Sequence, residues 1–80
     1  MRQVVFLTRP GCHLCEDVLP RVQRVSRLLR RQLVVRDITD DPGLEELYHD
    51  RIPVLVDGRG RLLAEGPLGL GAVLRAVVRS

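Results

Sequence analysis

The chain has 80 residues, enough for one small domain over positions 1–80, and a chain of that size buries only about 60% of the surface its unfolded form exposes. Hydrophobic residues make up 45%, but with one Phe, one Tyr and no Trp the core must be filled by Val, Leu and Ile. The net charge is +3 and all thirteen basic residues are Arg, yet no aromatics interleave with them for base stacking and no apolar run approaches the ~20 residues of a membrane span, so neither a nucleic-acid nor a membrane partner is expected.

Positions 3–8 read as a first strand, apolar on both faces at Val4, Val5, Phe6 and Leu7 and therefore central in a sheet. The same run is too short for a signal-peptide core, which points to a cytoplasmic protein. Pro10-Gly11 supplies a turn, and from Cys12 to about position 31 the residues Cys15, Val18, Leu19, Val22, Val25 and Leu29 form one stripe of a long amphipathic helix. Pro20 lies inside it and kinks it without shifting the stripe. Arg24, Arg27 and Arg31 fall on the opposite side and read as a solvated face.

A second strand spans 33–38, where Arg36 and Asp37 interrupt the apolar run and suggest a sheet edge. Asp41 before Pro42, with Glu45 and Glu46 following, is a helix start; the short helix runs to about His49, which should lie exposed near its end. Val54, Leu55 and Val56 form another central strand, Asp57-Gly58-Arg59-Gly60 a hairpin turn, and positions 61–65 the other edge. A terminal helix follows, with its stripe at Leu70, Val73, Leu74, Val77 and Val78 and no polar cap at its start. The order is βαβαββα, an α/β arrangement. The simplest topology is a four-stranded mixed sheet of order 2-1-3-4 with helices on both faces.

Chemistry concentrates at Cys12-His13-Leu14-Cys15, which holds the only two cysteines three apart where a strand gives way to a helix. A sulfur at a helix start sits among unpaired N–H groups and the positive end of the dipole, which favour thiolate over thiol. A second sulfur one turn on can attack a mixed disulfide formed on the first. The pair therefore reads as redox-active, with Cys12 the nucleophile and Cys15 the resolving thiol. His13 either adds positive potential beside Cys12 or stands by in solvent. Zinc fits poorly, because only His13 and His49 could complete the ligand set and adjacent Cys12 and His13 cannot both turn to one metal; no metal site is expected. Two inert thiols are the remaining plain reading.

Three features together resemble the glutaredoxin-like branch of the thioredoxin superfamily over nearly the whole chain: Arg9-Pro10-Gly11-Cys12-His13-Leu14-Cys15, Pro20 five residues after Cys15, and Arg51-Ile52-Pro53-Val54, similar to the family's Thr-Val-Pro segment with its cis-proline. The resemblance implies a thioredoxin-like fold of the glutaredoxin type. It also implies thiol-disulfide oxidoreductase activity through a Cys-x-x-Cys couple acting on protein or glutathione mixed disulfides. Arg9, Gly11, His13, Arg51, Ile52 and Pro53 would bind substrate, and a cis bond at Ile52-Pro53 would turn the backbone of Ile52 toward the cysteines. No bound cofactor is implied; glutathione is a possible co-substrate, and either it or a thioredoxin-reductase-type system would serve as reductant for a monomer acting on a disulfide-containing protein. Other readings are a non-catalytic redox-sensing or partner-binding module and an iron-sulfur scaffold. The sequence departs from the family where glutaredoxins carry Gly-Gly followed closely by Asp to hold the γ-glutamyl end of glutathione. Here Glu65-Gly66-Pro67-Leu68 leaves Glu65 or nothing for that role, and Arg51 replaces the family's Thr. No buried acid of the thioredoxin kind is evident opposite Cys15.

Overall fold

The structure, a computed structural model, describes residues 2–80. Strand β1 (Gln3–Thr8) leads to helix α1 (His13–Leu28), then β2 (Gln32–Asp37), α2 (Pro42–Tyr48), β3 (Val54–Asp57), β4 (Leu62–Glu65) and α3 (Leu70–Arg79). The sheet order is β2-β1-β3-β4, with β1 and β2 parallel and the β1/β3 and β3/β4 pairs antiparallel, and the two all-apolar strands, β1 and β3, are central. This is the thioredoxin-like topology.

The sheet divides the core in two. On one face Val4, Phe6, Leu55 and Leu63 meet α1 through Cys15, Val18, Val22 and Val25, and α3 through Val73, Ala76 and Val77. On the other, Val5, Leu7, Val54 and Val56 meet Ile38 and Tyr48. Because β1 alternates between these two clusters, none of its central residues faces water. The β3/β4 register slips by one at Leu55/Val56, so Val56 pairs with Leu62 and the extra residue Leu63 is free to enter the α1/α3 core.

Three elements differ from the sequence reading. Helix α1 ends at Leu28, three residues before the expected position 31. The Arg31 N–H reaches back to the Ser26 carbonyl at 2.8 Å and the Arg30 N–H to the Arg27 carbonyl at 3.3 Å, with Arg30 at φ 56°. This paired closure reverses the chain so that the Gln32 N–H can donate to the Arg2 carbonyl at 2.8 Å and start β2 beside β1. Strand β2 runs Gln32–Asp37 instead of 33–38: the Asp37 carboxylate takes the Thr39 N–H at 2.9 Å and starts a 3-10 turn that buries Ile38. The Thr39 hydroxyl donates to the same carboxylate and, with the N–H, holds its pKa below the usual carboxylate range. In α3 the buried face is Val73, Ala76 and Val77, while Leu70, Leu74 and Val78 of the expected stripe are exposed. Helix α1 shares that sheet face, which leaves α3 only a narrow strip to cover.

Two turn residues organise the remaining connections. Asp41 caps α2 by accepting from the Gly43 N–H at 2.9 Å and the Leu44 N–H at 3.3 Å, as its place before Pro42 predicted. Asp57 builds the β3/β4 turn. Its Oδ1 accepts from the Arg59 N–H at 2.8 Å and the Arg61 N–H at 2.9 Å, and its Oδ2 from Arg61 Nε at 2.9 Å. These donors, led by the Arg61 backbone, lower the Asp57 pKa.

Two outcomes follow. An L-residue in the left-handed conformation costs about 1–2 kcal/mol, and glycine's larger loss of freedom on folding returns about 0.5–1 kcal/mol of that, so Arg30→Gly should stabilise the protein by about 0.5–1 kcal/mol in urea denaturation. A neutral or destabilising result would mean that the Arg30 backbone is not strained. For Asp57, a folded pKa below the unfolded value of about 3.9 gives stability that is fully present above that value and lost as pH falls through the folded one. The stability gap between the parent and Asp57→Asn should therefore be largest near neutral pH and close in strong acid; a gap independent of pH would contradict it.

Candidate redox site

The end of β1 delivers the chain through Pro10 and Gly11, at φ 79°, to Cys12, the N-cap of α1. A positive φ here is what makes glycine the suitable residue. Cys12 is extended at φ −87° and ψ 102°, and its Sγ accepts the Cys15 backbone N–H at 3.2 Å. The sulfur thus takes the capping position a Ser or Asp oxygen would fill, facing the positive end of a sixteen-residue helix. Each of these contacts favours a negative charge on Cys12 when the pair is reduced.

Cys15 lies one turn on, 3% exposed within the α1 core stripe, whereas Cys12 is half-buried. The two sulfurs are bonded, with Cα atoms 5.2 Å apart, inside the span a disulfide accommodates. One sulfur is open to a partner molecule and the other is shielded, an asymmetry dictated by the helical stripe that buries position 15 and not position 12.

Cys12 opens onto a shallow recess of about 330 Å³ lined by Arg9, Gly11, His13, Leu14, Ile52 and the loop residues His49 and Asp50. The Ile52-Pro53 peptide is cis, as the resemblance implied. Pro53 is buried behind Ile52, and its carbonyl accepts the Gly66 N–H at 2.9 Å. Ile52 packs against the cores on both faces of the sheet and lines the recess together with Cys12.

Five of the expected residues, Arg9, Gly11, Cys12, His13 and Ile52, therefore share one recess, while Cys15 and Pro53 are buried and do not line it. His13 is 94% exposed, with Nδ1 3.6 Å from Glu16. Arg9 stands 3.6 Å from Glu45. Arg51 is not among the lining residues. Its guanidinium donates to Glu65 through Nε at 3.0 Å and Nη2 at 2.6 Å and lies 5.0 Å over the Tyr48 ring. The hydrogen bond to Glu65 raises the Arg51 pKa above its ordinary value. Arg51 and Glu65, the two charges that could have met a small peptide's termini, thus neutralise one another.

Sequence reasoning missed Leu14, His49 and Asp50 as lining residues. The available signal was the four-residue spacing from His49 to Pro53: once Ile52-Pro53 faces the cysteines, the loop just before it must lie near them too.

Residues 3–66 match the family model described as Glutaredoxin-like domain (DUF836). Uncharacterised proteins of Mycobacterium bovis and Mycobacterium tuberculosis are 38% identical over 63 residues; the match covers 71% of this chain but only 65% of the length of these relatives. Among solved structures, a structural genomics target from X. campestris superposes with TM-score 0.77 at 25% identity, covering 96% of this chain and 97% of the other. A protein of Nitrosomonas europaea gives 0.75 at 30% identity over 90% and 86%. Thioredoxin 1 of Thermosipho africanus, at 14% identity, gives 0.70 over 96% and 91%, a likeness of fold. With its cysteine pair at the first helix start supporting a redox-type function, the chain belongs to the family of glutaredoxin-like domains.

Proposed function

We propose that this protein is a thiol-disulfide oxidoreductase that acts in the cytoplasm through the Cys12/Cys15 couple. The observation that carries the reading is the position of Cys12: half-buried, capping α1, with the Cys15 N–H on its sulfur and Cys15 itself shielded one turn below.

Starting from the reduced pair, the Cys12 thiolate attacks one sulfur of a substrate disulfide. A Cys12–substrate bond forms, the substrate bond breaks, and the other substrate sulfur leaves as a thiolate that takes up a proton. Cys15 then gives up its proton and attacks Cys12 Sγ, closing the Cys12–Cys15 disulfide and releasing the second substrate thiolate. Two electrons have passed to the substrate. A dithiol or two monothiols must return them to complete the cycle.

An extended polypeptide fits the recess best. Among the residues that line it with Cys12, Ile52 and Leu14 supply apolar contact and Arg9 supplies a charge. Glutathione is disfavoured as the natural reductant because Glu65-Gly66-Pro67-Leu68 stands where glutaredoxins carry the Gly-Gly and Asp that hold its γ-glutamyl end, and Glu65 is already hydrogen-bonded to Arg51. Reduction by a protein dithiol system should accordingly be faster than by glutathione.

The test uses the two cysteine variants with a disulfide-bonded protein. Cys12→Ser should abolish exchange, since a serine hydroxyl is no nucleophile at neutral pH in this setting. Cys15→Ser should accumulate a mixed disulfide on Cys12, visible by intact mass or non-reducing electrophoresis, because the intramolecular thiol that resolves it is gone. Adducts trapped by Cys12→Ser instead, or parent-like behaviour of both variants, would overturn the assignment.

A further inference from the structure

The pole of the sheet opposite the cysteines holds a second recess, of about 390 Å³, lined by Arg2, Arg59, Arg61 and Arg79 with Gln3, Asp57, Gly58 and Ser80. It is assembled from the start of β1, the β3/β4 turn and the end of α3, so its arginines are far apart in sequence and meet only in the fold.

Its lining side chains carry four positive charges against one negative, a balance of +3, and of the ten acidic residues in the chain only Asp57 is among them. Asp57 offsets one of these charges, through its ion pair with Arg61, and leaves the other three without an acidic partner in the recess. Its two oxygens already accept from the Arg59 and Arg61 backbones and from Arg61 Nε. Three of the four guanidinium groups are tethered: Arg61 to Asp57 at 2.9 Å, Arg2 through Nη1 to the Ser80 carbonyl at 3.2 Å, and Arg79 through Nη2 to the Leu63 carbonyl. Each tether uses one nitrogen and leaves two to donate elsewhere, and Arg59 makes no side-chain hydrogen bond among the described residues.

Solvated arginines normally sample many rotamers, and ordering them on binding costs entropy. Here three of the four are each held by one hydrogen bond before a ligand arrives, which removes part of that cost. A guanidinium fork matches the oxygens of a phosphoryl group in bidentate geometry, and several forks around one concavity match a group bearing more than one such charge. Lysine, a point charge, would offer less directional preference, and this chain has none.

We propose that this recess is a binding site for a phosphoryl-bearing polyanion, separate from the cysteine recess and independent of the redox reading. The chemistry is shared by a soluble polyphosphate-type compound and by a phosphorylated lipid headgroup, and the test separates them. Isothermal titration of the oxidised full chain with inorganic pyrophosphate should give saturable one-to-one binding. Arg59→Gln, which removes a side chain with no structural partner, should weaken it about three- to tenfold, and Arg79→Gln should do likewise. Arg24→Gln, an exposed arginine of α1 outside the recess, should leave it unchanged. In parallel, vesicles of phosphatidylcholine containing a phosphorylated inositol lipid are sedimented with each protein. Pyrophosphate binding without vesicle binding assigns a soluble ligand; vesicle binding lost in Arg59→Gln assigns a headgroup. Absence of both, or equal weakening by Arg24→Gln and Arg59→Gln, overturns the site and leaves only diffuse attraction of a basic surface, as would binding confined to a duplex oligonucleotide.

Discussion

Strand β1 has no exposed face between Val4 and Leu7, and that constraint positions everything at its end. Side chains on both sides of the strand are fixed, by α1 and α3 on one face and by Ile38 and Tyr48 on the other, while its backbone is paired with β2 and β3. A strand locked on both faces and both edges cannot slip register without exposing a whole row of Val, Phe and Leu. The turn that follows therefore begins from a fixed point, and Cys12 is presented at the same place relative to Ile52, which is anchored through β3.

The same geometry separates electrostatic tasks. At the cysteine end, a helix start turns its unpaired N–H groups and its dipole toward one sulfur. Two arginines near the recess are engaged by local acids, Arg9 with Glu45 and, just outside it, Arg51 with Glu65. Such exposed pairs add little stability, but they leave the helix terminus as the main directional field at Cys12. At the other pole the balance is incomplete, because four arginines meet one acidic side chain, Asp57, which pairs with Arg61 while it builds its turn.

Much of this was legible from residues. The all-apolar runs at positions 4–7 and 54–56 identified the central strands, Asp41-Pro42 located a helix start within a residue, and Cys12 and Ile52, singled out by their motifs, line one candidate recess. What escaped reading depends on pairings that a one-dimensional pattern does not carry. Leu70, Leu74 and Val78 are as apolar as Val73 and Val77, and only the presence of α1 on the same sheet face decides which row is covered, with the small Ala76 completing it. The early end of α1 rests on Arg30 adopting a conformation that its residue type gives no hint of. Arg51 and Glu65 are fourteen positions apart and meet because Glu65 pairs with Val54 at the end of the sheet. The four arginines at the far pole, at positions 2, 59, 61 and 79, carry no local motif at all.

The central claim is that Cys12 and Cys15 form a working redox couple and not a structural bridge. The direct measurement is an equilibrium titration of the pair against thiol-disulfide buffers, with dithiol and disulfide forms counted by mass after alkylation. A helix start that stabilises the reduced Cys12 thiolate should make the disulfide easier to reduce. A redox couple of this kind should show a reversible two-electron transition with a potential above about −300 mV, in the span of roughly −270 to −180 mV occupied by thioredoxins, glutaredoxins and disulfide isomerases. A potential well below −300 mV, or a disulfide that neither opens nor re-forms reversibly, would contradict it and make the bond a structural one.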